Sequence, residues 1–283
     1  ERAAELIDNI KTIGFWGVTI AGISISIFDA KIVPNKQEYL ERAEIEIEKN
    51  SRDLLKSLSF AKKAIAFPDE LYYGKHNDFL IWITSYIPQD KVFVAHGIEE
   101  QFFLALRAFE AQEAFHATTF EHLQNIKTTF PIFKSPEYFK EFESFKKTVT
   151  ENYSDNHLAT TLVSADKFLK THKETIDRYA NHLTHTDFVP HNFRIKGHDV
   201  YMLDCSSVYF GNKYEAWARF LNYMLIHNPI LERLLSDYIL KNRGEEEYLS
   251  LRLMRIFKIG KLLEYYARSL KKTTGDLHTL TEA

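Results

Sequence analysis

A single cysteine, Cys205, stands among 283 residues, so no internal disulfide can form, and a reducing compartment fits. Glycine and proline number only 10 and 7, and with 45% hydrophobic and 27% charged residues the composition excludes a collagen-like or disordered chain. Positive charge is not in excess. Thirty-six Lys and Arg against 39 Asp and Glu leave a net charge of −3, which argues against nucleic acid as a partner. No apolar run reaches the length of a bilayer span: the most apolar stretch, Phe15 to Phe28, stops at Asp29, and no secretory signal is visible. The expectation is a cytoplasmic protein with no membrane partner. The chain opens at Glu1 rather than at a methionine, which predicts a trimmed N-terminus. Large rings, by contrast, are plentiful: 22 Phe and 15 Tyr suit a thick helical core. The length suits one large domain or two lobes that share a cleft.

Along the chain the texture changes. Residues 1–10 carry a helical face (Ala3, Leu6, Ile7, Ile10), and residues 15–33 read as two strands about a turn at Ala21-Gly22. Residues 37–58 are charged and helical, with Leu40, Ala43, Ile47, Leu54 and Leu58 as the expected buried stripe. Residues 70–73 and 79–87 read as strands, and Pro88 opens a linker that marks the lobe boundary. Beyond it the periodicity predicts helices over 98–126, 156–181, 213–228, 229–242 and 245–271, while residues 127–150, with Pro131 and Pro136, read as an irregular insertion or small helices. A polar, non-helical island over 183–208 interrupts this helical part, which is where chemistry is usually carried.

The island reads His185-Thr186-Asp187-Phe188-Val189-Pro190-His191-Asn192, then a hairpin turn at Lys196-Gly197-His198-Asp199, then the apolar strand Val200-Tyr201-Met202-Leu203 ending in Asp204. Taken singly, Asp187 and Asn192 read as turn residues. Together, with a strand delivering Asp204, they match the needs of phosphoryl transfer: one carboxylate to orient a hydroxyl and take its proton, and a carboxylate with an amide oxygen to hold Mg²⁺. His182, His185, His191 and His198 lie close enough in sequence to raise a zinc site, but their spacing matches no ligand pattern and cysteine partners are missing. Cys205 reads as a small buried residue.

This segment resembles the catalytic and metal loops of the aminoglycoside phosphotransferase and choline kinase-like family, relatives of the protein kinases. The family pattern His-Gly-Asp-Phe-x-Pro-x-Asn is matched here with Thr186 in place of Gly, and Tyr214-Glu215-Ala216-Trp217-Ala218 is similar to the helix opening that follows the metal Asp. Phe28-Asp29-Ala30-Lys31-Ile32-Val33 looks like the strand whose lysine holds the ATP phosphates. Ile83-Thr84-Ser85-Tyr86-Ile87-Pro88 looks like the hinge that meets adenine, and Leu104 to His116 like the helix after it. The likeness runs through residues 15–225 in order. Gly14 and Gly17 make a poor phosphate-covering loop, and Cys205 stands where an aromatic often follows.

The resemblance implies an α+β, two-lobed, protein-kinase-like fold: a small β-rich N-lobe with one main helix (1–87) and a larger, mostly helical C-lobe (88–283). It implies ATP and Mg²⁺ as cofactors, with Lys31 on the phosphates and Glu46, rather than Glu44, as its partner. Ser85 and Ile87 would lie at the adenine, and Asn192 and Asp204 at the metal. Asp187 would be the base, with His185 bracing its loop. The partner is a small-molecule hydroxyl acceptor: an aminoglycoside, choline, a sugar or a related compound. Protein kinase activity fits poorly, since Asp204-Cys205-Ser206 stands where Asp-Phe-Gly would be and no Ala-Pro-Glu segment follows. The rivals are a pseudokinase acting as a nucleotide-binding or interaction module, and an unrelated helical scaffold.

Overall fold

A computed structural model describes residues 36–58, 65–77, 79–89, 91–126, 129–197, 199–270 and 274. The expected strands of 15–33, with Gly14, Gly17 and Lys31, lie outside the described residues. The chain divides into two compact units, residues 1–43 and 44–283. Helix α1 (Lys36–Ser57) runs across that division.

The second unit continues with an antiparallel hairpin, β1 (Glu70–His76) and β2 (Phe79–Thr84). Helices follow: α2 (Ile98–Ile126), α3 (Ser135–Asn152), α4 (Asn156–Thr171) and α5 (Lys173–Arg178). The polar island holds β3 (His182–His185), β4 (Phe193–Lys196), β5 (Asp199–Met202) and β6 (Val208–Gly211). Strands β4 and β5 form the expected hairpin, and β3 pairs with β6 across it. Helices α6 (Glu215–His227) and α7 (Pro229–Leu270) complete the order. The expected break near residue 243 appears inside α7 as a kink at Gly244, whose φ of 81° favours glycine. The result is an α+β fold with a small strand-bearing N-terminal part and a larger, mostly helical C-terminal part.

Two expectations change. Residues 135–152 form one regular helix rather than an irregular insertion. Pro136 sits in its first turn, where a missing N–H costs nothing, and Glu137 accepts a hydrogen bond from the Lys134 N–H there. The buried stripe Tyr138, Phe142, Phe145 and Val149 then packs on the second half of α7, where Tyr138 meets Phe257 edge to face. In α1, Leu40, Ala43 and Ile47 of the expected stripe are exposed, while Leu54 packs against the core and Leu58, just past the helix, is buried; the buried residues of the helix itself include Arg52 and Leu55. The core is a single cluster rich in rings, with Phe109 stacked on Trp217 and Phe188 on Phe193. Cys205 is buried, as expected. Among the described residues, no helix is long and apolar enough to cross a membrane.

Candidate active site

The loop after β3 and the turn after β5 are tied together by backbone. The Thr186 N–H donates to the Ser207 carbonyl (2.7 Å), and the Leu203 N–H donates to the Asn192 carbonyl (3.0 Å). The segment before β1 joins from another side, as the Ala66 N–H donates to Val200 and the Met202 N–H to Ala66. Hydrophobic alternation in β5 buries Val200 and Met202 and so sets Asp204 at the end of an anchored strand.

His185 is fully buried at the centre of this arrangement. Its Nδ1 accepts the Asp187 N–H, which leaves Nε2 as the protonated nitrogen, donating to the Asp204 carbonyl. Burial pushes its pKa down, against the pull of Asp204 and Asp187, so the ring is neutral. A ring fixed at both nitrogens has no lone pair for substrate, and His185 acts as a brace between the two loops.

Asp187 faces a cavity of about 450 Å³. Its Oδ1 accepts Arg219 Nε at 2.7 Å and its Oδ2 accepts Asn192 Nδ2 at 2.9 Å. Burial alone raises this carboxyl's pKa, but the charge and hydrogen bond of Arg219, with His185 and Asn192, outweigh it and hold it below the usual range. Asn192 spends its amide N–H₂ on the Asp187 side chain and carbonyl, while its Oδ1 accepts no hydrogen bond among the described residues. Asp204 accepts from the Ser206 N–H and Oγ on one oxygen and from Ser207 Oγ on the other.

Glu46, expected as a site residue, is exposed and makes no ion pair or hydrogen bond among the described residues, and Glu44 is exposed too. The carboxylate that α1 brings to the loop after Asp204 is Glu48, which accepts the Ser206 N–H and Arg52 Nη2. Burial pushes the pKa of Glu48 up, partly offset by the Cys205 and Ser206 backbone and by Arg52. Arg52 is itself buried, donates to the Leu203 carbonyl and lies over the Trp82 ring. Ser85 exchanges hydrogen bonds with Asp69, through its own N–H and through its Oγ. Ile87, two residues on, makes no backbone hydrogen bond among the described residues. No cluster of three His, Cys, Asp or Glu suited to a metal occurs among the described residues. A larger groove of about 550 Å³ beside Gly244 contains none of these groups, so the cavity at Asp187 is the chemically equipped one.

No family model matches the chain. The RNA polymerase β″ subunits of Tupiella akineta and Mesostigma viride match short stretches, at 36% identity over 69 residues and 46% over 52. These stretches span only 2% and 4% of those curated relatives and carry no argument about the site. Solved structures match over most of the chain. The GDP complex of aminoglycoside 2'-phosphotransferase-IIIa aligns with a TM-score of 0.61 and 17% identity, covering 88% of this chain and 81% of that one. A thermostable mutant of aminoglycoside phosphotransferase APH(4)-Ia, in a ternary complex with ADP and hygromycin B, aligns at 0.57 and 17%, covering 82% and 79%. The fold is that of the aminoglycoside phosphotransferases. Within this phosphotransferase fold the loops carrying Asp187, Asn192 and Asp204 are joined as described, and Tyr265 and Tyr266 from the helical C-terminal stretch 209–271, expected to line the acceptor pocket, lie at the cavity, whereas Glu48, Arg219, Lys258 and Lys261 were not singled out from the sequence. Arg219 reaches Asp187 from a helix thirty-two positions on, a separation that no local motif displays.

Proposed function

We propose that the chain is a small-molecule kinase, which binds ATP with Mg²⁺ and transfers the γ-phosphoryl group to a hydroxyl. The observation that carries this reading is that His185 joins Asp187 to Asp204 and Asn192 donates directly to Asp187, with Asp187 at the wall of a cavity. The structural neighbours described with GDP, or with ADP and hygromycin B, support a nucleotide and a small hydroxylated acceptor as its two ligands. The single buried Cys205 suits a reducing, ATP-supplied compartment such as the cytoplasm. We take residues 88–283 as the acceptor-binding and catalytic lobe, with Ser85 and Ile87 facing adenine at its edge.

Asp204 and Asn192 fit Mg²⁺. They offer a carboxylate and an uncommitted amide oxygen, hard donors for an ion that completes its shell with water and phosphate oxygens. When bound, Mg²⁺ supplies charge that offsets the charge on the phosphate oxygens. Asp187 orients the acceptor hydroxyl. The bond between that oxygen and the γ-phosphorus forms, the bond to the β,γ-bridging oxygen breaks with its electron pair leaving on ADP, and the hydroxyl proton passes to the Asp187 carboxylate. A carboxylate held below its usual pKa is a weak base, which suits a loose transition state in which positioning matters more than early proton removal. His185 keeps the loop in register throughout.

Thermal unfolding with Mg-ATP, Mg-ADP and EDTA tests the reading. A ligand at a hundred times its dissociation constant stabilises by about 2.7 kcal/mol, and a Mg²⁺-dependent rise in Tm is expected. Asp187→Asn should keep that rise and lose turnover by roughly 10²–10⁴-fold in an ADP-release assay. No rise at millimolar nucleotide sinks the proposal. A second reading, a pseudokinase, is favoured by the three hydrogen bonds from Ser206 and Ser207 that already occupy the Asp204 carboxylate. It predicts nucleotide binding with no turnover for any acceptor.

A further inference from the structure

The cavity at Asp187 is lined by more cationic than anionic side chains. One wall is the second half of α7, where Lys258, Lys261, Leu262 and Tyr265 fall at helical spacing on one face. Arg219 comes from α6. Three cationic side chains therefore line the cavity, against one carboxylate, Asp187.

That carboxylate is already paired with Arg219, which uses only Nε for the contact. Lys258 is buried and paired with Glu215. Glu215 is fully buried and also accepts the Tyr138 and Tyr209 hydroxyls, so it offers nothing to a ligand. Of the remaining acidic groups nearby, Glu264 holds Arg268 and Thr148, and Glu141 is half-buried beside Lys261, with burial pushing its pKa up. Lys261 is exposed and makes no ion pair or hydrogen bond among the described residues. A polycation would meet Lys261 and Arg219 at a cavity wall whose one carboxylate, Asp187, is already paired with Arg219. The rings of Tyr265 and Tyr266 do not reverse this, because a cation seated on either would lie next to Lys261, one turn away on the same helix.

We propose that this pocket takes a hydroxylated small molecule bearing an anionic group, a carboxylate or a phosphate, with Lys261 and the free end of Arg219 as its anion-binding side and Asp187 at the hydroxyl. The proposal rests on the kinase reading above and narrows it: the acceptor is not a polycationic aminoglycoside. Phosphoryl transfer to such an acceptor has the balance already written, one O–P bond formed, one broken and the proton passed to Asp187.

The test uses the full chain saturated with Mg-ADP at fixed ionic strength. Gluconate, glycerol 3-phosphate, glycerol, choline and kanamycin are titrated at millimolar concentration, with Tm as the readout. Gluconate and glycerol 3-phosphate distinguish the carboxylate from the phosphate. The expected result is a saturable rise in Tm with at least one of these two and none with choline or kanamycin. In Lys261→Glu the affinity for that anion should fall by about tenfold or more, while the Mg-ADP shift stays. A saturable rise with kanamycin or choline overturns the proposal. So does no rise with either anion, or a rise that Lys261→Glu leaves untouched. Loss of the Mg-ADP shift in the unmodified chain is a different failure, since it removes the kinase reading itself.

Discussion

Arg219 sets the range over which Asp187 stays ionised. With its Nε on Oδ1 and Asn192 on Oδ2, the carboxyl stays ionised to lower pH than an isolated aspartate. Replacing Arg219 by Gln removes the charge and leaves burial, which acts upward, so the acid limb of the kcat/KM–pH profile should move to higher pH. An unmoved limb would mean that Arg219 does not control Asp187. The same depression makes Asp187 a stabilising group above the unfolded carboxyl pKa, and that contribution disappears as pH falls through the folded value. Cys205 gives a simpler check. Burial pushes its thiol well up, with the Glu48 charge acting in the same direction. It should stay unmodified by iodoacetamide at mildly alkaline pH in the folded protein and react once urea unfolds the chain. Rapid labelling of the native state would contradict the burial.

Helix α3 and the second half of α7 come close together at Gly260, where an added Cβ would come within 2.6 Å of a Phe142 ring atom. Phe142 is fully buried and packed against Phe145, so the ring cannot step aside. Gly260→Ala gains up to about 1 kcal/mol of helix propensity but overpacks the contact at a cost of roughly 1–3 kcal/mol. A net loss in urea-unfolding stability is expected, and a gain would mean that the helices can separate freely. Phe142→Ala, a cavity at the same contact, should cost about 3–5 kcal/mol. These elements also show what could be read from the chain. The motif residues Asp187, Asn192 and Asp204 were legible because a hairpin keeps them near in sequence, and α2 was legible from its periodicity. Helix α3 was not, because Pro131 and Pro136 look like breakers until the helix start is known to fall at Ser135. On α1 the resemblance points to Glu46 rather than Glu44 and does not raise Glu48, because the facing of that helix reads differently from the sequence. The expected stripe through Leu40 and Ile47 rotated the helix away from the Arg52–Leu55 side that is buried. Arg219, Lys258 and Lys261 converge on Asp187 only through tertiary packing, which spacing along the chain does not encode.

For the molecule taken whole, the histidines decide how folding responds to acid. His116, His182 and His185 all have pKa values pushed below 6.5 by burial. His116 and His182 lie with ring centroids 5.6 Å apart, and neither nitrogen of His116 has a partner among the described residues. Protonating them in place would put like charges together in the core. The unfolded chain, by contrast, binds these protons at ordinary histidine pKa values. As pH falls below about 6.5 the unfolded state therefore takes up more protons than the folded one. Stability drops, by at most about 1.4 kcal/mol per pH unit for each histidine. Glu48 and Glu141 work in the opposite sense, since burial raises their pKa values and the folded state takes up their protons first. In the unfolded chain the histidines begin to take up protons near 6.5, above the ordinary carboxyl value of 4.5. The urea midpoint should hold near neutral pH and decline steadily between pH about 6.5 and 5.5. His116→Gln keeps a polar side chain without the titration and should flatten that decline, even if it lowers the midpoint at neutral pH. A midpoint that stays level to pH about 5.5 in the unmodified chain would mean that the three rings accept protons where they stand. The neutral brace assigned to His185 would then have to be abandoned, and with it the fixed link between Asp187 and Asp204 on which the proposed chemistry depends.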